Sequence, residues 1–240
     1  MDSELIICIP GLWESREAFL KSVVVTTSGE YMFAGGVLAH PQGNDHVEVD
    51  FFEPYDEMAT AFEFGGQGKI SDETLNRIFE HKSVIYLHFP LNIVAQRARL
   101  LKFTNVIHRC GGLAIKLETS GIAHEWEDWF NFIDSGNPFN LYCASVVLVA
   151  DENDYFSCGM HNFGLADSQI SRQFEVSVAA ELLNQFNYWQ ILERPNFKSG
   201  HTFSLTVDSP YFRLILQKDN RHSEDDLFYN PHGIWSLESI

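Results

Sequence analysis

Short apolar runs of strand length recur along this chain, but helices do not come one per strand between them. That broken rhythm is the strongest constraint on the fold. LIICI (5–9), SVIYLHF (83–89) and LAIKLE (113–118) read as strands, and HVEVDFF (46–52) alternates with period two. YMFAGGVLAH (31–40) is apolar and broken at Gly35-Gly36. LYCASVVLVA (141–150) reads as a buried strand, and TFSLTV (202–207) and YFRLILQ (211–217) as two more. Helical spacing appears over 14–25, with Phe19, Leu20, Val23 and Val24 on one side, and over 91–109 and 171–192. Pro54 suits the first turn of a helix through Met58 and Phe62, which Gly65-Gly66-Gln67-Gly68 ends. Ser71-Asp72-Glu73 opens another, with Leu75, Ile78 and Phe79 expected inward. The pattern predicts an α+β chain in preference to an irregular α/β sheet: mixed, mainly antiparallel sheets with helices packed on their faces. The 240 residues suit a single domain, with a soft boundary at Asp134-Ser135-Gly136-Asn137-Pro138.

Charge narrows the partners. A net charge of −17, with no basic patch, would be repelled by phosphate backbones, so nucleic acid is excluded as a partner. Cys8, Cys110, Cys143 and Cys158 include no C-x-x-C pair, which speaks against a zinc ribbon or redox motif and for reduced thiols. The N-terminal MDSELIICIPGLW starts with carboxylates and lacks the features of a signal peptide. No run approaches the roughly 18 apolar residues of a membrane span. A cytoplasmic chain without membrane association is expected.

The charge is also unevenly placed. Residues 117–171 contain no Lys or Arg, but nine carboxylates: Glu118, Glu125, Glu127, Asp128, Asp134, Asp151, Glu152, Asp154 and Asp167. Part of this is expected to be a solvated face, and a one-sign stretch also attracts a basic partner and speeds its association.

Chemical motifs are sparse. GGQGKIS (65–71) lacks the earlier glycine and the final Ser/Thr of a phosphate loop, so it reads as a turn. No G-x-S-x-G elbow occurs, and Cys158-Gly159-Met160-His161 puts a thiol near an imidazole without implying a catalytic pair. His46, Glu48 and Asp50 share one face of a strand, but a rise of about 6.5 Å per two residues keeps them from one ion without bending. SGIAHEWEDWF (120–130) reads as a helix capped by Ser120, with Trp126, Trp129, Phe130 and Ile133 as a core stripe. On that helix His124 and Asp128 would share a face and could hold a metal with a third ligand. The spacing favours an acidic outer face instead, carrying Glu125, Glu127 and Asp128. Glu224-Asp225-Asp226, beside Leu227, Phe228 and Tyr229, forms a second acidic cluster that suits a protein interface.

Two blocks carry a resemblance. IICIPGLWESREAFL (6–20) resembles the I-C-I-P-G-x-W-x-x-R opening, and GGLAIKLETSGIAHEWEDWF (111–130) the G-G-x-A-x-K-x-E-x-S-G-x-A-H-x-W block, of an uncharacterised bacterial family that recurs beside toxin and type VI secretion genes. Members of that family include immunity proteins paired with nuclease toxins. The resemblance implies a cytosolic antitoxin with an α+β fold and no catalytic residue. Acidity fits it, because a nuclease is basic around its site. The expectation is therefore a non-enzymatic immunity protein, without metal or cofactor, that neutralises a basic nuclease toxin. Its expected contacts are Glu125, Glu127 and Asp128, or Glu224, Asp225 and Asp226. The alternatives are a metal-dependent enzyme using His46, Glu48 and Asp50 or His124 and Asp128, and an adaptor in a secretion-associated complex.

Overall fold

The computed structural model describes residues 4–240. In chain order its elements are β1 (Glu4–Gly11), α1 (Arg16–Thr26), β2 (Met32–Ala34), β3 (Val37–Ala39), β4 (His46–Phe52), α2 (Met58–Gly66), α3 (Asp72–Phe79), β5 (Ser83–Pro90) and α4 (Ile93–Arg109). There follow β6 (Ile115–Leu117), β7 (Ala123–His124), α5 (Trp126–Asp134), α6 (Pro138–Ser145), β8 (Val147–Ala150), β9 (Asp154–Cys158), a 3-10 turn (Met160–Phe163) and β10 (Asp167–Ser171). The chain ends with α7 (Val176–Glu193), β11 (Thr202–Phe203), β12 (Phe212–Gln217) and β13 (Ile234–Ser239).

The fold is α+β, with two mostly antiparallel sheets. The first has the order β2-β3-β4-β5-β1-β6-β7 and the second β11-β12-β13-β10-β9-β8, in which only β10 and β13 run parallel. Cover decides how each strand reads in sequence. On the inner face of the first sheet, Leu5 lies opposite Phe89, Ile7 between Leu87 and Leu117, and Val49 opposite Leu87. This face is sealed by α1, α4, α5 and α6 through Phe19, Leu100, Phe103, Trp129 and Leu141. On the outer face, α2 and α3 cover only one end, where Met58, Phe62 and Ile78 pack on Cys8 and Val84. Strand β1 is buried on both faces over most of its length and is therefore almost wholly apolar, whereas β4 alternates because Glu48 and Asp50 face outward. The second sheet packs Ile170, Phe212, Leu214 and Trp235 against Leu182, Leu183 and Phe186 of α7.

Three expectations are corrected. The 141–150 run is a helix and then a strand: Asn137 caps the helix, Pro138 opens it, and β8 begins at Val147. A helix buried on most of its surface is apolar all round, so its sequence imitates a buried strand. Ser120 caps no helix. It lies in the turn between β6 and β7, where Gly121 has φ +73, and α5 starts only at Trp126. Phe79 points outward and is 75% exposed, while Ile78 takes the core position. The Asp134–Pro138 segment joins α5 to α6, and both helices enter the same core. Passage from the first sheet to the second comes later, at Val146.

The segments 6–20 and 111–130 meet where β1 pairs with β6, and three of their residues have clear structural roles. Trp13 Nε1–H donates to Cys110 O at 2.9 Å and Trp126 Nε1–H to Gly112 O at 2.8 Å. A Cβ on Gly112 would come within 2.8 Å of Ile9, so only glycine lets the strands and α5 close there.

Candidate functional site: an acidic cleft between the sheets

The uncovered end of the first sheet's outer face is polar. Cross-strand pairing puts Glu48 and Asp50 of β4 beside His88 and Tyr86 of β5, and these beside Ile6 and Cys8 of β1. His88 lies between two carboxylates, with Nδ1 2.9 Å from Glu4 and Nε2 3.3 Å from Asp50, the latter outside hydrogen-bonding geometry. Lys116 of β6 and Glu118, just beyond its end, form a largely buried pair at 2.9 Å.

The second sheet closes over one edge of this face. Thr119, in the β6–β7 turn, donates to Asn162 of the 3-10 turn at 2.8 Å. The 218–233 loop then crosses from β12 to β13 and lays Phe228 over Gly121, where an added Cβ would sit 3.4 Å from the ring. Buried polar groups fix this loop. Asp219 accepts from the backbone N–H of Asn230 at 3.0 Å and of Arg221 at 2.9 Å, which holds its carboxyl below the usual range against the opposing effect of burial. Asn230 in turn donates to Leu165 O at 3.0 Å and to the Asp167 carboxylate. Asp167 also accepts from Ser157 and from Met160 N–H, yet burial pushes its pKa up to about 6. Arg221 anchors the loop's start, reaching Asp151 at 3.1 Å and Asp154 at 3.2 Å, with its guanidinium 4.4 Å from the centre of the Phe156 ring.

Between β1 and this loop lies a cleft of about 840 Å³ lined by Glu4, Glu224, Asp225, Asp226, Tyr229 and His161, among others. Among the described residues no Lys or Arg lines it. His161 is 3% exposed, and among the described residues neither ring nitrogen has a hydrogen-bond partner. Burial, reinforced by His232, pushes its pKa down to about 4, so the ring is neutral at pH 7. A buried polar group left unpaired costs about 1–3 kcal/mol, which makes such groups rare.

The structure separates the expected contacts. Glu224, Asp225 and Asp226 are exposed on the cleft wall, where Glu224 pairs with Lys218 at 2.6 Å and Asp226 accepts from Phe228 N–H at 2.8 Å. Glu127 is exposed and Asp128 half-buried in the first turn of α5, where carboxylates favour the helix dipole. Glu125 is engaged internally: it accepts from Ser71 N–H at 2.8 Å and from the Ser71 hydroxyl at 2.7 Å, and these bonds lower its pKa. Glu125→Ala is expected to cost about 1 kcal/mol in urea unfolding, because a charge-assisted bond at a part-exposed position is weakened by solvent.

The 117–171 stretch is not one continuous acidic field. Lys116 neutralises Glu118, Arg221 neutralises Asp151 and Asp154, Ser71 binds Glu125, and Asp167 is buried. The cations come from outside the stretch, so the sequence gap overstates the local charge.

The metal alternatives do not assemble. His124 belongs to β7, buried with Nε2 2.9 Å from Ala144 O, and Asp128 belongs to α5, so they share no helix face. His46, Glu48 and Asp50 stay spread along β4. Among the described residues, no three His, Cys, Asp or Glu come together as an ion would require. All four cysteines are free thiols, and no helix among the described residues is long and apolar enough to cross a membrane. Sequence reading missed His161 and Glu4 as parts of the site: no local signal marks them, because the cleft joins segments from opposite ends of the chain.

Comparison with protein-family models, with curated proteins and with solved structures found no match. The class that the fold and the site define is an α+β protein carrying an acidic intersheet cleft.

Proposed function

We propose that this chain is a cytoplasmic immunity protein that neutralises a cognate basic toxin, a nuclease effector, by stoichiometric docking on the acidic cleft. The observation that carries the reading is the cleft wall itself. Glu224, Asp225 and Asp226 stand exposed beside Leu227 and Tyr229, opposite Glu4, with no Lys or Arg among the described residues lining the cleft. Carboxylates around apolar side chains supply fast, oriented capture together with contact area. The buried anchors Asp167, Asp219 and Asn230 hold the loop in place before a partner arrives, which lowers the ordering cost of association. The net charge of −17 adds long-range attraction for a basic partner. Glu127 and Asp128 of α5 are a separate and smaller acidic patch, secondary to the cleft in this reading.

Co-expression with the toxin encoded beside the gene tests the reading: rescue of growth and co-purification at 1:1 are expected, and no rescue with no complex would discard it. In the rescuing pair, the combined change Glu224→Gln, Asp225→Asn and Asp226→Asn is expected to slow association roughly tenfold at low salt and to flatten its salt dependence. Stopped-flow association at two ionic strengths measures both effects, and an unchanged rate would move the docking surface elsewhere.

A further inference from the structure

The wall of carboxylates is only half of the cleft's chemistry; the other half is His161. Its imidazole is 3% exposed, lines the cleft, and has no partner among the described residues at either nitrogen. Neutral at pH 7, it presents one acceptor nitrogen and one N–H. The hydroxyl of Ser120, in the adjoining turn, is also buried without a partner. Around the imidazole, Glu4, Glu224, Asp225 and Asp226 supply negative charge, and Ile6, Leu227 and Tyr229 supply apolar surface. Lys218 offsets only Glu224, from an exposed position, and His88 engages Glu4 from the sheet side.

These groups define a ligand. A phosphate or carboxylate would meet like charge. A bare metal ion finds no converging set of three ligands among the described residues. A neutral molecule would leave the carboxylates unused. An ammonium has three donors on a point charge, whereas a guanidinium has five donors in one plane and is less strongly hydrated, so it can serve separated carboxylates and an imidazole acceptor together. An alkyl stem would lie against the apolar wall while the head engages the acids.

We propose that the intersheet cleft is a binding site for an alkylguanidinium group, with His161 as the neutral hydrogen-bond acceptor at its inner wall and Asp225 and Asp226 as its counter-charges. The chemistry can be delivered as an arginine side chain of a protein partner or as a free small guanidine. The arginine source rests on the docking reading above; the site itself does not.

Calorimetry on the full chain tests the site with agmatine, with N-(4-aminobutyl)urea as the counterpart that keeps the amine and lacks only the guanidinium charge, and with acetyl-Gly-Arg-Gly-amide as the peptide form. Saturable 1:1 binding of agmatine is expected, with the urea at least tenfold weaker. Asp225→Asn with Asp226→Asn, and separately His161→Leu, should each weaken agmatine roughly tenfold, the loss expected for a charge-assisted hydrogen bond. His161→Leu removes the unpaired nitrogens, so its melting temperature should hold or rise while binding falls, a combination that a purely structural role would not give. The His161 ring nitrogen resonances should shift on agmatine addition. Absence of saturable agmatine binding, or binding unchanged in these variants, overturns the proposal. Tighter binding of the peptide than of agmatine assigns the site to a partner's arginine, and the reverse to a free guanidine; both support the site. Since agmatine binding needs no toxin, its failure with toxin rescue intact sinks the cleft ligand alone. Its success without any rescue sinks the docking reading alone.

Discussion

Trp129→Ala is expected to be among the most damaging single changes in the chain, lowering stability by about 4 kcal/mol, within the range for truncating a large buried aromatic. Trp129 is fully buried between α4 and the inner face of the first sheet, and its Nε1–H donates to Thr104 Oγ1 at 3.0 Å. The Thr104 hydroxyl already donates to Leu100 O, so alanine leaves its acceptor site empty beside a new cavity. Trp129→Phe keeps most of the volume and loses only the hydrogen bond, so it should cost clearly less. Urea unfolding of the three proteins measures both values. A loss below about 1 kcal/mol for the alanine variant would mean that the α4–α5 contact is not part of the main core.

Trp129 also shows where sequence and structure agree. The i, i+3, i+4, i+7 spacing of Trp126, Trp129, Phe130 and Ile133 survives intact: Trp126, Trp129 and Ile133 are buried, and Phe130 packs partly buried against the same core. Periodicity is a property of the local segment and needs no partner. Ser71 was legible as a helix start for the same reason, and its hydroxyl accepts from the Thr74 backbone N–H of its own helix. Reading failed where tertiary pairing overrides local preference. Ala123 and His124 pair with β6 and delay α5, and Leu141–Ser145 is apolar because it is a buried helix. Strands β9, β10 and β13 were not read as strands. DYFSC and DSQIS are polar because the interior around Asp167, Ser157, Ser168 and Asn187 is itself a hydrogen-bonded polar network. Of the site, Glu224–Asp226 was visible as a cluster. Its meeting with Glu4 and with an unpartnered His161 depends on two sheets closing over each other, which no window of sequence contains.

Two buried groups beside the cleft should make stability respond to acid in opposite ways. His161 titrates near 6.5 when unfolded and about 4 when folded, because burial penalises its charge. Its folded pKa is depressed, so the unfolded chain takes up the proton first and stability falls as pH drops from 6.5 through 4. Asp167 titrates near 3.8 when unfolded and about 6 when folded, because burial outweighs its three hydrogen-bond donors and the Asp219 charge adds to the rise. Its contribution is full below the unfolded value and is lost as pH rises through 6, so acid stabilises the fold through this group. Each effect is worth about 3 kcal/mol from 2.303RT per pH unit. In the intact protein the two largely cancel between pH 4 and 6.5. Removing one exposes the other. Relative to the parent chain, His161→Leu should gain about 3 kcal/mol on going from pH 7 to pH 4, and Asp167→Asn should lose about as much. Urea midpoints of the three proteins at pH 7, 5.5 and 4 decide it. Parallel pH profiles would mean that neither group is shielded as its burial requires, and the tethering of the loop by Asp167 through Asn230 would lose its support.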